Sequence, residues 1–213
     1  MMPTPGVGQI VILNGAPRSG KSSIATAIQE TFEGIWMNLG VDHSIQTTPA
    51  RYRPGIGLRP GGERPDLEPL VVALYAALYE SIADHSRLGL NVVVDVGHHD
   101  AYATPRGILV DCARRLRSLP VLFVGVRCPL AIILERRRST GYLATGSTDT
   151  EVPPPVQRWQ EAVHRPGIYD LEVDTSLLSP VACAERIRHH LITDAPLSAF
   201  QRLAAMAPQP EAS

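Results

Sequence analysis

The chain has 213 residues, a formal net charge of −1, and 44% hydrophobic against 19% charged residues, the profile of an ordinary globular domain. A balance this neutral offers no electrostatic drive toward nucleic acid or an anionic membrane surface, and aromatics at 5% indicate no base-stacking platform. Cys112, Cys128 and Cys183 are odd in number and form no C-x-x-C unit, which argues against a disulfide framework or a zinc ribbon.

In chain order, the opening Met-Met-Pro-Thr-Pro-Gly lacks the basic start and apolar run of a signal peptide. No later stretch approaches the ~18–20 apolar residues of a membrane span, so a cytoplasmic location is expected. Residues 9–14 (Q-I-V-I-L-N) read as a strand buried on both faces. Ile24, Ile28 and Phe32 then share a helical face, and 36–41 (W-M-N-L-G-V) is a weaker strand. Leu67, Leu70, Val71, Leu74, Leu78 and Ile82 form the stripe of a long helix, with Asp66 as its N-cap and Gly89 as its stop. Residues 91–96 are a second strong strand, and Thr104-Pro105 opens a helix with Ile108, Leu109, Cys112 and Leu116 inward. A third strong strand at 121–126 leads to a short helix at 129–138, a weak strand at 170–173, and a helix from Ser179-Pro180 with Val181, Ala184, Ile187 and Leu191 inward.

Strands alternating with helices predict an α/β fold, a five-stranded parallel sheet with about six helices on its two faces. One domain over 1–195 is expected, with 196–213 as a C-terminal tail holding a turn or two of helix. Residues 49–65 (Pro, Gly, Arg) and 139–155 (Thr, Ser, Gly, Pro) are irregular, and loops of that length in a compact domain are functional or disordered.

Gly15-Ala16-Pro17-Arg18-Ser19-Gly20-Lys21-Ser22 matches G-x-x-x-x-G-K-[ST] between a strand and a helix, the setting that gives the motif meaning. Such a loop turns its backbone N–H groups and a helix N-terminus onto phosphates. ATP with Mg²⁺ is the expected ligand. Lys21 would reach the β- and γ-phosphates, Ser22 would ligate the metal, and Ser23 follows as a further nucleotide contact. Asp95 ends V-V-V-D, where parallel sheets place ligand-binding residues. It is expected to hold Mg²⁺ directly or through water, the other reading being a turn cap. Asp42, after W-M-N-L-G-V, stands at a strand end on the same edge, where it either takes a proton from an attacking hydroxyl or caps the next segment. Arg136, Arg137 and Arg138 cannot all face inward, because helix neighbours sit ~100° apart; Arg136 is taken as the phosphoryl clamp. His98, His99 and Asp100 lack a third ligand at metal spacing and read as loop polar groups near an acceptor pocket.

Four segments together, I-L-N-G-A-P-R-S-G-K-S (12–22), L-G-V-D (39–42), V-G-V-R-C (124–128) and V-H-R-P-G-I-Y-D-L-E-V-D-T (163–175), resemble the chloramphenicol phosphotransferase family. The resemblance runs from about residue 9 to residue 192, and the last segment is its most particular part. It implies a P-loop fold of the nucleotide and shikimate kinase type, and transfer of the ATP γ-phosphoryl group to a primary hydroxyl of chloramphenicol, which inactivates the drug. It implies Asp42 as general base, Asp174 and Thr175 near the adenine, residues 49–65 as an acceptor-side loop and 136–155 as a mobile lid. Two features depart from the family pattern: no arginine follows Arg138 in the lid stretch, and Arg51, Arg53, Arg59 and Arg64 make the acceptor-side loop basic. They leave open an acceptor of another kind, a metabolite as in shikimate or gluconate kinases or a molecule bearing its own negative charge. A nucleotide-binding module without transferase activity is the third reading, though it would not need Asp42. The sequence leaves open whether the chain acts alone or as a homo-oligomer.

Overall fold

The computed structural model describes residues 6–53, 64–139, 154–193 and 196–207, excepting the side chains of residues 44, 45, 154 and 155. Five strands, β1 (Ile10–Asn14), β2 (Trp36–Asn38), β3 (Asn91–Val96), β4 (Val121–Arg127) and β5 (Leu171–Asp174), form one parallel sheet in the order β2-β3-β1-β4-β5. Among the described residues the α-helices are α1 (Lys21–Thr31), α2 (Val41–Thr47), α3 (Glu68–Arg87), α4 (Ile108–Leu116), α5 (Leu130–Ser139), α6 (Pro154–Ala162), α7 (Pro180–Ile192) and α8 (Ala199–Ala204).

Successive strand residues point to opposite faces, and both faces are covered. Ile10, Ile12, Val92, Val94 and Phe123 pack beneath α3, α4 and α8. Val11, Leu13, Val93, Leu122 and Val124 pack beneath α1 and α7. That is why the strands read as unbroken apolar runs. The register sets Leu13 beside Asp95, and Asn14 between Val96 and Gly125. All five strands thus end on one edge, where the loops that build the site emerge.

Several local expectations are corrected. The strand predicted at 36–41 ends at Asn38, because Asn38 Oδ1 takes the Gly40 N–H at 3.1 Å and turns the chain into α2. Asp42 therefore lies in the first turn of that helix, not at the end of a strand. Asp66 is not the N-cap of the long helix. Pro65–Leu67 form a 3-10 turn running into α3, Leu67 holds the cap position, and the exposed Asp66 carboxylate instead takes two bonds from Arg64 at 2.8 and 2.7 Å. Thr104-Pro105 does not open a helix either. The Asp100 carboxylate accepts the N–H groups of Arg106 and Gly107, and the left-handed Gly107 (φ 61°) delays α4 to Ile108. Val181 is 53% exposed, because Cys183, Ala184 and Ile187 centre the inward stripe of α7 and Val181 falls about a right angle from it. Gly89 does stop α3, its positive φ allowing the paired bonds Gly89 N–H to Ser86 O and Leu90 N–H to His85 O.

The chain beyond residue 195 returns to the core. Asp170 accepts the N–H groups of Ser198 and Ala199 at 2.8 Å each and of Phe123 at 3.0 Å, fixing the start of α8. Phe200 and Leu203 are then buried, worth about 1.5–3 kcal/mol each. The three cysteines are buried and free. No described helix is long and apolar enough to cross a membrane.

Candidate active site

β1 passes directly into the loop Gly15–Gly20, and space demands its first glycine. A Cβ at Gly15 would meet the Val126 carbonyl oxygen at 2.5 Å and Ser19 Oγ at 2.9 Å. Arg18 and Gly20 adopt left-handed φ of 68° and 94°, the kind of backbone reversal that gathers successive N–H groups around an anion. No side chain caps α1 at Gly20, so first-turn N–H groups and the positive end of the helix are open to a ligand. Ser19 is fully buried, and its hydroxyl has no partner among the described residues.

The chemistry-bearing side chains gather over this loop. Lys21 Nζ donates to the carbonyl oxygens of Gly15 and Ala16, both at 2.8 Å. The residue is part-exposed as a whole, but its ammonium group is enclosed. Burial pushes its pKa down to about 8, against an upward pull from Asp95 and then Asp42. Ser22 Oγ donates to Asp95 Oδ2 at 2.6 Å, bringing two hard oxygen donors together beside the phosphate loop. Gly40 makes room for this pair, since a Cβ there would collide with Asp95 Oδ1. Asp42 lines the same cleft.

On the opposite flank Thr175 Oγ1 donates to the Ser19 carbonyl at 2.7 Å. Arg136 donates to the carbonyl of Thr175 at 2.8 Å, to its hydroxyl at 3.1 Å and to the Arg18 carbonyl at 3.3 Å. Asp174 turns away, its carboxylate capping Ser176 N–H at 2.8 Å and Oγ at 2.6 Å, so it sets the turn that presents Thr175.

These groups border a cleft of about 1010 Å³. Of the residues the sequence singles out, Gly15, Ala16, Pro17, Arg18, Gly20, Lys21, Ser22, Ser23, Asp42, Asp95, Arg136 and Thr175 line it, while Ser19 and Asp174 support it from behind. The lid residues 140–153 and residues 54–63 of the acceptor-side loop lie outside the described residues. Of the arginine run, Arg137 is also buried and lines the cleft, whereas Arg138 is exposed. Arg137 carried no signal beyond its place in that run.

Sequence reasoning set His99 near an acceptor pocket but missed the other residues of its wall. Leu74 and Tyr75 of α3, His99 and Tyr102 after β3, and Trp159 of α6 also line the cleft, with Trp159 packed in the cluster that holds Ala16 of the phosphate loop. His99 stands 4.6 Å from the Tyr102 ring and meets Trp159 edge-on at 5.7 Å. Burial keeps the Tyr75 and Tyr102 phenols protonated. Behind them His98 bonds the Tyr79 hydroxyl at 2.7 Å, and burial lowers its pKa to about 3, so it is neutral. The wall is largely aromatic, and its tyrosine phenols are neutral. Beyond His99, only the apolar periodicity of α3 hinted at it, and that reads equally as core. Among the described residues no group of three side chains could hold a metal through His, Cys, Asp and Glu alone.

Two proteins of Mycobacterium tuberculosis strains, each named "Putative O-phosphotransferase", are 28% identical to this chain over 211 residues, covering 92% of it and 88% of themselves. In three dimensions the chain resembles the Mycobacterium tuberculosis APS kinase CysC in complex with AMPPNP and APS, with a TM-score of 0.64 at 15% identity over 89% of this chain and 100% of that one. It also resembles shikimate kinase from Acinetobacter baumannii in complex with shikimate, with a TM-score of 0.53 at 12% identity over 85% and 92% of the two chains. Those likenesses establish the P-loop kinase fold. The family resemblance read from the four segments is borne out: residues 8–192 match the family described as chloramphenicol phosphotransferase-like protein, so the chain belongs to that family and is an enzyme of the P-loop kinase kind.

Proposed function

We propose that this enzyme transfers the γ-phosphoryl group of ATP to a hydroxyl of an uncharged, largely apolar small molecule, with chloramphenicol the first acceptor to try. One observation carries the reading: Asp42 lies in a single cleft with Lys21, Ser22 and Asp95 and with the aromatic rings of Tyr75, Tyr102 and Trp159. The phosphate loop suits a polyphosphate, with its required Gly15, its uncapped helix start and a Ser19 hydroxyl that has no partner among the described residues. Ser22 and Asp95, already 2.6 Å apart, suit Mg²⁺, which prefers oxygen ligands. Bound there, the ion would neutralise charge on the β- and γ-phosphates.

The chain's own residues supply the rest. Loop N–H groups hold the phosphates, and Lys21 exchanges its two carbonyl partners for phosphate oxygens. Asp42 accepts the proton of the acceptor hydroxyl as its oxygen bonds to phosphorus and the bond to ADP breaks. Arg136, anchored on Thr175 and Arg18, keeps a fixed positive charge beside the loop. Asp174 acts only by presenting Thr175.

An anionic acceptor finds less support. Arg64 is engaged with Asp66, Arg53 donates to the carbonyls of Thr48 and Gln46, and Arg51 lies over the Tyr52 ring; none of the three lines the cleft. Mass spectrometry of chloramphenicol after incubation with enzyme, ATP and Mg²⁺ tests the proposal. A product heavier by one phosphate, absent with Lys21→Ala, supports it; unchanged drug with the intact enzyme removes chloramphenicol as acceptor.

A further inference from the structure

Asn14, the last residue of β1, is 1% exposed, and no step above uses its side chain. Its Nδ2 donates to the Val163 carbonyl at 2.8 Å and to the Tyr169 hydroxyl at 2.9 Å, while its Oδ1 accepts the His98 N–H at 2.8 Å. One amide therefore ties together the strand entering Gly15, the loop after β3 and the turn at 163–169. Both of the latter adjoin the acceptor wall. His99 follows His98 directly. The N–H of Val163 bonds the Trp159 carbonyl at 2.9 Å, so the residue whose carbonyl Asn14 holds also closes, through its N–H, the turn bearing Trp159.

Asn14 donates to the Tyr169 oxygen, which also shares a hydrogen bond with His164 Nδ1 at 2.9 Å. Burial and the nearby Arg127 charge lower the His164 pKa to about 4. The Tyr169 ring is itself seated by composition: a Cβ on Gly125 would come within 2.8 Å of it. The segment V-H-R-P-G-I-Y-D, most particular in the sequence, thus supplies both partners that back Asn14.

We infer that Asn14, backed by Tyr169 and His164, is a positioning residue for phosphoryl transfer, setting the wall of His99 and Trp159 at a fixed distance from the phosphate loop. This rests on the phosphotransferase reading. Asn14 touches neither substrate in this role; it holds the two halves of the cleft in register. A misplacement of about 1 Å at such a joint can cost about 100-fold in rate.

The test compares Tyr169→Phe, which removes one hydroxyl and leaves the ring on Gly125, with Asn14→Ala. Both are made in a Trp36→Phe background, so that Trp159 is the remaining tryptophan. The kcat for acceptor phosphorylation should fall about 10-fold in Tyr169→Phe and about 100-fold in Asn14→Ala. The Kd for MgATP should stay within about twofold, because uniform binding is untouched. Acrylamide quenching of Trp159 should rise in both, and the double variant should be no slower than Asn14→Ala, since the two residues act through one bond. Unchanged turnover per folded molecule, or unchanged quenching, overturns the inference. If Asn14→Ala does not fold, Tyr169→Phe carries the test alone. Should the parent enzyme leave chloramphenicol untouched, the acceptor reading fails, while the quenching comparison still decides whether Asn14 holds the wall.

Discussion

The two walls of the cleft are built differently. The phosphate wall comes from one contiguous loop, Gly15 to Ser22, completed by Asp95 and the Arg136–Thr175 contact. The acceptor wall is assembled from α2, α3, the loop after β3 and α6, segments separated by up to a hundred residues and more. One wall is polar, with N–H groups and cations converging on a point; the other is largely aromatic, with Asp42 of α2 where the two meet. Any polyphosphate needs the same geometry, so a local motif can encode it. Acceptors differ, and a wall contributed by several segments can change without disturbing the loop that binds the donor.

This contrast predicts separable losses. Lys21→Ala should lower phosphoryl transfer the most, by about 10³-fold, while circular dichroism and melting remain close to the parent, because among the described residues Nζ hydrogen-bonds to loop carbonyls and not to the core. Retained turnover in that variant would break the assignment of the polar wall. Asp42→Asn, at the junction of the walls, should keep MgATP affinity and lose about 10²–10⁴ in kcat, read by calorimetry alongside steady-state rates. Near-normal turnover would leave Asp42 as no more than a residue in the first turn of α2.

Smaller effects should sort by wall. Leu74→Ala should raise the acceptor KM about tenfold through lost apolar contact and leave the ATP KM unchanged; a change in ATP KM would mean that the walls are not separable. The pH profile should divide likewise. Burial holds Lys21 at about 8, so in the free enzyme its ammonium is present below that pH and disappears above it. The kcat/KM for ATP should therefore decline as pH rises through about 8, since that ratio reports the free enzyme. Dissociation constants of acceptor analogues that do not ionise should stay flat from pH 7 to 9, because burial keeps the Tyr75 and Tyr102 phenols protonated across that range and His98, at about 3, stays neutral.

What the sequence by itself determined is what short-range chemistry controls. The three strong strands follow from apolar runs covered on both faces. The phosphate loop follows from glycines at positions with a forbidden Cβ or a positive φ, and Asp95 from its place at a strand end. The family followed from four short segments, and the resemblance singled out Asp42 although the local structure around it was misread. Tertiary structure decided the rest. Asp42 reaches the cleft through a helix because Asn38 takes the Gly40 N–H and turns the chain, at a point where only glycine clears Asp95. Residues that read as the core stripe of α3, such as Leu74, turn out to line the cleft, since helical periodicity marks an apolar face and does not say whether protein or ligand covers it. Asn14 reads as the polar end of a strand, and its partners lie 84, 149 and 155 residues away. α8 docks on the core through Asp170, a carboxylate 28 residues before it. Contacts over such separations leave no periodic trace in the chain, because they depend on which strands are neighbours in the sheet and in what register.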